Sequence, residues 1–326
     1  MKKIIGYGEL MLRISQINNL TIKNDSLGTF AGSESNSLCF LSSKGHKCEF
    51  ISAFPKNDIG YKAIKYLDSN NINCNIKVDN NKLGVYYTET GQNNQNTKIK
   101  YDRKESSFSK FNLSNEFIEN ALKDSSYLII TGITPALSKI CYKNILSLVK
   151  AAKKKKIKIV YDINYRKNLW SLIDCKNFNL EILKYVDLLF TNSSTLCHVF
   201  NITLEKNTNN FFLEPENAIK FICKKFKIPF IGLTIRNEKK LSGILFMNHR
   251  IFKGDIYDVD QIDRVGAGDT FLAASINGFI KKWDGQKIVT YSTSSFALAH
   301  TVHGDVNLFD DSEIEVFRKN KSLKNA

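Results

Sequence analysis

Apolar and polar residues alternate along 3–7 and 10–15, take up helical spacing over 37–44 and 59–70, and leave a short apolar run at 50–53. A period near two predicts a strand and a period near 3.6 a helix. The same reading gives strands at 127–131, 157–162, 187–191, 230–234 and 243–246, and helices at 140–155, 270–281 and 288–300, with a further helical segment before 187. Strands alternating with helices are the rhythm of an α/β fold, a parallel sheet covered by helices. Two strand-like pieces, 84–89 and 97–103, break that rhythm, joined by the Asn- and Gln-rich turn 91–96. They predict a hairpin that projects from the main sheet with the strand 10–15, as a flap that excludes water from a site. With no internal repeat and no interdomain linker, residues 1–326 are expected to form a single domain.

One further alternating stretch, 251–262, leads into Asp263-Arg264-Val265-Gly266-Ala267-Gly268-Asp269, directly ahead of the helix 270–281. The glycines therefore fall at a strand-to-helix turn. The first amides of a helix have no internal partner, and glycines without a Cβ let an anion come close to them. Asp269, in the first helical turn, is stable as an anion there and can accept a proton from an attacking hydroxyl. This pattern reads as a phosphoryl-transfer site. Two glycines before an acid also make an ordinary capped turn, so the motif needs the rest of the chain. It is not a P-loop, which needs a Lys-Ser/Thr pair after its glycines, nor a dinucleotide fingerprint, which follows a first strand.

Composition narrows the classes. A chain of 326 residues with 43% apolar and 24% charged residues is an ordinary globular one. Glu9 and Arg13 interrupt the N-terminal apolar run before it becomes a secretory core, and no stretch reaches membrane-spanning length, so a cytoplasmic protein without a membrane partner is expected. The seven cysteines have no close pairs and several lie in apolar runs, which points to buried reduced thiols and no metal site. His300 and His303 lack a carboxylate or cysteine at a ligand spacing. The net charge of +15 raises nucleic acid as a partner, but the densest run, 153–156, is better explained as a solvated helix end, and no nucleic-acid role is expected.

Beyond the glycine turn, an ordered set of blocks runs almost end to end: Gly8-Glu9-Leu10-Met11-Leu12-Arg13, Gly32-Ser33-Glu34-Ser35-Asn36, Tyr101-Asp102-Arg103, Thr131-Gly132-Ile133-Thr134-Pro135-Ala136-Leu137-Ser138, Asp162-Ile163-Asn164-Tyr165-Arg166 with Leu169-Trp170, and Gly304-Asp305. With these blocks the chain resembles the ribokinase, or PfkB, family of sugar kinases, and within it the 2-keto-3-deoxygluconate kinase branch. The resemblance implies a ribokinase-like, Rossmann-type three-layer sandwich with a small β-sheet lid formed by about residues 9–32 and 84–106.

It also implies roles by matching position. Asp269 is the base toward the terminal, C6 hydroxyl of 2-keto-3-deoxygluconate, and the amides of Gly266, Ala267 and Gly268 form the anion hole. Gly32, Asn36, Tyr86, Tyr101, Arg103, Arg166, Asp269 and Asp305 are expected at the sugar acid. Arg103 is the main expected discriminator, because a guanidinium clamps a carboxylate with two parallel hydrogen bonds. Asn164, Arg166, Asn192, Thr234, Arg236, Gly266, Gly268 and Thr293 are expected at ATP, with Mg2+ carried by the nucleotide phosphates and a monovalent cation as a further candidate. An exposed lid strand offers an edge for a second copy.

The chain departs from the family pattern at two places. Ala31 stands where the lid pair begins with glycine, and Asn192-Ser193-Ser194-Thr195 stands where relatives carry acidic residues after the Asn. Neutral hydroxyls do not replace an anion near a divalent ion. Competing readings are therefore a fructokinase-like or other sugar kinase of this family, and a catalytically weakened sugar- or nucleotide-binding homologue.

Overall fold

A computed structural model describes residues 3–16, 27–89, 98–205, 210–237 and 239–322. Its strands in chain order are β1 (Lys3–Tyr7), β2 (Met11–Gln16), β3 (Leu27–Ala31), β4 (Cys48–Pro55), β5 (Ile72–Asp79), β6 (Val85–Glu89), β7 (Lys98–Asp102), β8 (Ser125–Thr131), β9 (Lys158–Asp162), β10 (Leu188–Thr191), β11 (Phe230–Asn237), β12 (Lys240–Met247), β13 (Arg250–Lys253) and β14 (Tyr257–Asp258). The large sheet has the order β13-β12-β11-β10-β9-β8-β1-β4-β5, with β14 also on β12. It is parallel from β11 through β5 and antiparallel at β11-β12-β13.

Its central strands are apolar on both faces. Ile4 and Ile5, Leu128 to Ile130, Ile159 and Val160, and Leu188 and Leu189 are all buried, as a sheet covered twice requires. One core cluster packs the helices Lys139–Lys154, Leu172–Ile182, Ser193–Phe200 and Leu213–Phe226 on one face. A second packs Ser33–Ser43, Asp58–Ser69, Ala267–Ile280, Gly285–Ala299 and Asp311–Ser322 on the other. This is a ribokinase-like three-layer arrangement. Among the described residues, no helix is long and apolar enough to cross a membrane.

A separate four-stranded sheet, β3-β2-β6-β7, has β2 parallel to β6 and antiparallel pairs on either side. The expected flap of β2 with the hairpin β6–β7 is present and gains β3 as a fourth strand; the hairpin's turn at 91–96, like 17–26 of the segment before β3, lies outside the described residues. The expected strand 251–262 is corrected: it stops at Lys253, where the Gly254 amide bonds to Gly243 at 2.9 Å, and only Tyr257–Asp258 pairs again.

The order of strands positions the site. β1 sits between β8 and β4, so successive connections leave it in opposite directions, and ligands bind at the carboxyl ends beside such a reversal. Glu9, Thr134, Asn164, Asn192 and Arg236, which follow or end β1, β8, β9, β10 and β11, all line one cleft there.

Candidate active site

The cleft has a volume of about 1340 Å³ and lies between the small sheet and the carboxyl edge of the large one. The glycine turn forms part of its floor. Gly266 caps the helix Ala267–Ile280 with φ of 79°, in the left-handed region, and a Cβ there would lie 1.9 Å from the Asp305 carbonyl oxygen. Glycine is obligatory on both counts. The first bond of the helix runs from the Thr270 amide to the Gly266 carbonyl at 2.9 Å, so the amides of Ala267, Gly268 and Asp269 come before it. Above Gly268 a Cβ would meet nothing within 4 Å. An anion has open access to this helix end.

Asp269 is nearly buried and held by two donors. Ser33 Oγ donates to Oδ1 at 2.5 Å, and Asn36 Nδ2 donates to Oδ2 at 2.9 Å. Burial raises the Asp269 carboxyl from 3.8 to about 6, while the hydrogen bonds from Ser33 and Asn36 oppose the rise. A carboxyl poised there is ionised at neutral pH yet basic enough to take a proton. Ser33 also accepts from Asn164 Nδ2 at 3.2 Å, which ties the residue after β9 to Asp269. Asn164 has a φ of 38°, a left-handed conformation that Asn tolerates.

Two more acids lie close electrostatically. Glu34 accepts from the Thr131 amide and hydroxyl at 3.1 and 2.8 Å and from Thr134 Oγ1 at 3.1 Å. Burial pushes its carboxyl up to about 7, and burial and the Asp269 charge push Asp162 up to about 7. Asn36 donates to Asp269 and accepts the Gly32 amide at 3.1 Å, so it orients the Asp269 carboxylate while lining the cleft.

The lid side is heavily paired. Arg103 faces Glu9 with Nε and Nη2 at 2.7 and 2.5 Å from Oε2, and Ser106 Oγ donates to Oε1 of the same carboxylate at 2.5 Å. The Nε and Nη2 edge of Arg103 faces a buried glutamate, while Arg103 itself lines the cleft. Tyr86, stacked on Tyr101 at 5.7 Å, donates its hydroxyl to Asp305 Oδ2 at 2.5 Å. Arg13 donates to Asp305 through Nη1 and to Asp263 Oδ2 through Nη2 at 2.7 Å, with Ser15 and Thr88 on its Nε. Tyr86 and Asp305 thus tie the small sheet to the loop beside the glycine turn, and both line the cleft where substrate contacts were expected of them.

The sheet edge is different. Arg166 is exposed to the cleft, and among the described residues its guanidinium donates only to the Tyr165 carbonyl, at 3.5 Å. Arg236, also exposed there, donates to His300 Nε2 at 3.2 Å and Thr234 Oγ1 at 3.4 Å. Neither has a carboxylate partner among the described residues. Asn192 caps the helix Ser193–Phe200 by accepting the Thr195 amide at 2.8 Å. Thr293 does not line the cleft: it is fully buried, its hydroxyl packed against Gly243 and Gly254, so its expected place at the nucleotide is corrected to a packing role.

The structure therefore brings together Gly32, Asn36, Tyr86, Tyr101, Arg103, Asn164, Arg166, Asn192, Thr234, Arg236, Gly266, Gly268, Asp269 and Asp305 on one cleft. Sequence reasoning missed Ser33, Glu9 and Arg13 as partners of those residues. A hydroxyl directly after Gly32 was a local signal for Ser33. The pairing of Arg13 with Asp305 spans 292 residues and leaves no local trace.

Comparison with known proteins agrees with this fold. A 2-dehydro-3-deoxygalactonokinase from Haloferax volcanii is 24% identical over 317 residues, covering 96% of this chain and 95% of its own. The structure of a 2-dehydro-3-deoxygluconokinase from Thermotoga maritima superimposes with a TM-score of 0.90 at 28% identity, covering 98% of this chain and all of that one. A candidate ribokinase II from Escherichia coli, solved with ATP and Mg2+, shares the fold at 20% identity and a TM-score of 0.81, covering 98% of this chain and all of that one. The profile of the pfkB family carbohydrate kinases matches residues 1–311, and the chain belongs to that family as an ATP-dependent carbohydrate kinase.

Proposed function

We propose that the protein transfers the terminal phosphoryl group of ATP to the C6 hydroxyl of 2-keto-3-deoxygluconate, giving the 6-phosphate. The observation that carries this reading is the Asp269 carboxylate, nearly buried beside free helix amides and facing the same cleft as Arg166. Asp269 takes the proton from the sugar hydroxyl as that oxygen attacks phosphorus, and the bond to the ADP oxygen breaks. The amides of Gly266, Ala267 and Gly268 balance the charge on the phosphoryl oxygens. Arg166, which has no acid partner among the described residues, pairs with the carboxylate of the sugar acid. Relatives named for 2-dehydro-3-deoxy sugar acids support an acidic substrate.

Asn192 and Thr195 offer the cleft neutral oxygens, so magnesium enters as MgATP, ligated through the nucleotide phosphates. The small sheet acts as the lid of a single domain, and the protein works in the cytoplasm. A panel of sugar acids and neutral sugars in an ADP-release assay tests the reading. Turnover of 2-keto-3-deoxygluconate well above fructose is expected, and a preference for neutral sugars contradicts it.

A further inference from the structure

His300 follows the helix Gly285–Ala299 and is fully buried, so it cannot touch a ligand itself. Its imidazole is nevertheless one hydrogen bond from the cleft. Nδ1 lies 2.7 Å from the Phe296 carbonyl oxygen, which only accepts, so Nδ1 carries the proton and Nε2 is an acceptor. That acceptor receives the Nε–H of Arg236 at 3.2 Å. Protonating the ring would remove it. Burial, and then the Arg236 charge, lower the imidazole pKa to about 3, so the ring stays neutral at any working pH.

Phe296 completes the seat. Its ring meets His300 edge-on with centroids 4.6 Å apart, and the Arg236 guanidinium carbon lies 4.6 Å from the centre of the same ring. The only other described bond of Arg236 goes to Thr234 Oγ1, a neutral group. A cation fixed on an aromatic face by a neutral ring, lining a cleft and forming no ion pair among the described residues, is built to receive an anion. Meanwhile the His300 backbone carbonyl accepts from the amides of Ile262 at 2.8 Å and Asp263 at 3.4 Å, the residues leading into the glycine turn. One residue thus steadies both the guanidinium and the approach to the helix amides.

We propose that His300 is a positioning residue for the phosphoryl donor: its Nε2 holds Arg236 so that the Nη edge adds a fixed positive charge to the anion site formed by the amides after Gly266. The assignment rests on the reading of this cleft as the MgATP site. It gives the nucleotide polyphosphate a cationic contact at the end of β11, opposite in charge to the acids around Asp269.

His300→Leu removes the acceptor at similar volume, and His300→Gln returns an acceptor near the Nε2 position. The Leu variant is expected to raise KM for ATP by about tenfold, as loss of one oriented, charge-assisted contact does, with KM for the sugar acid within about twofold. Inhibition by inorganic tripolyphosphate weakens in parallel, inhibition by adenosine does not, and Gln restores most of both losses. Arg236→Ala matches the Leu variant, and combining the two adds nothing further. An unchanged ATP KM in His300→Leu, equal losses with Leu and Gln, or fully additive losses overturn the proposal. If the Leu variant does not fold, the other two decide: Arg236→Ala with undiminished tripolyphosphate inhibition overturns it, and weakened inhibition beside a near-normal Gln variant supports it. Variants that show these donor effects beside a wild type that phosphorylates no sugar acid defeat the substrate reading and leave His300 in place; sugar-acid turnover by the wild type without those effects in the variants does the reverse.

Discussion

The lid and the sheet edge present arginines to the same cleft, and the fold treats them in opposite ways. Arg103 on the lid side is matched by Glu9, and Arg13 by Asp263 and Asp305. Arg166 and Arg236 on the sheet side have only neutral partners among the described residues. A cation already paired with a carboxylate adds little net charge to attract an anion, and it is valuable for holding geometry. A cation without such a partner keeps its charge for a ligand. In the proposed reading, the lid arginines therefore set the shape of the cleft, and the sheet-edge arginines bind what enters it.

The largest expected effect lies at the point where both regions meet. Asp269→Asn is expected to lower turnover by about a thousandfold, the range of a lost general base, with ATP affinity retained. Stability moves the other way. The Asp269 carboxyl binds its proton more tightly in the folded chain, at about 6 against an ordinary 3.8, so stability falls as pH rises through that window. The Asn variant lacks this loss. Its melting temperature is expected to equal or exceed that of the wild type at pH 8, and the gap to close near pH 4.

Next comes the lid. Arg13→Ala leaves Asp263 and Asp305 buried without their cation, and is expected to cost about 3–5 kcal/mol of stability in denaturant unfolding, as breaking a buried pair does. On the sheet edge, Arg166→Ala is expected to raise KM for the sugar acid by about 10- to 100-fold, the range of a lost charge-assisted pair, and to leave stability near that of the wild type. The smallest effect sharpens the contrast. Glu9→Gln with Arg103→Met removes the lid pair together, and is expected to keep KM for the sugar acid within a few-fold of the wild type. A loss in that double variant as large as in Arg166→Ala would return Arg103 to the role of substrate clamp.

The same contrast explains what could be read from the chain. The central strands were legible because burial on both faces leaves unbroken apolar runs, as at Leu128 to Ile130. The edge strand Ile72–Asp79 was missed even though its residues alternate apolar and polar with a strand's period; of its apolar positions only Ile72 is fully buried, so it carries no unbroken apolar run. The helix Ser33–Ser43 begins at Ser33, ahead of the expected 37, because its first turn carries polar residues turned into the site. Function there replaces the apolar spacing that announces a helix. The glycine turn and Asp269 were visible because backbone freedom and an acid at a fixed offset are local properties. The pairing of Arg103 was invisible for the converse reason: Glu9 is 94 residues away, and nothing local distinguishes a paired arginine from a free one.

The most direct test of the account is the pH dependence of ADP release by the wild-type protein with MgATP and 2-keto-3-deoxygluconate. With Asp269 as the base and its carboxyl at about 6, the rate is predicted to reach a plateau above that pH and to fall about tenfold per unit well below it. A rate that stays flat down to about pH 4, where a buried carboxyl of this kind is protonated, would contradict it.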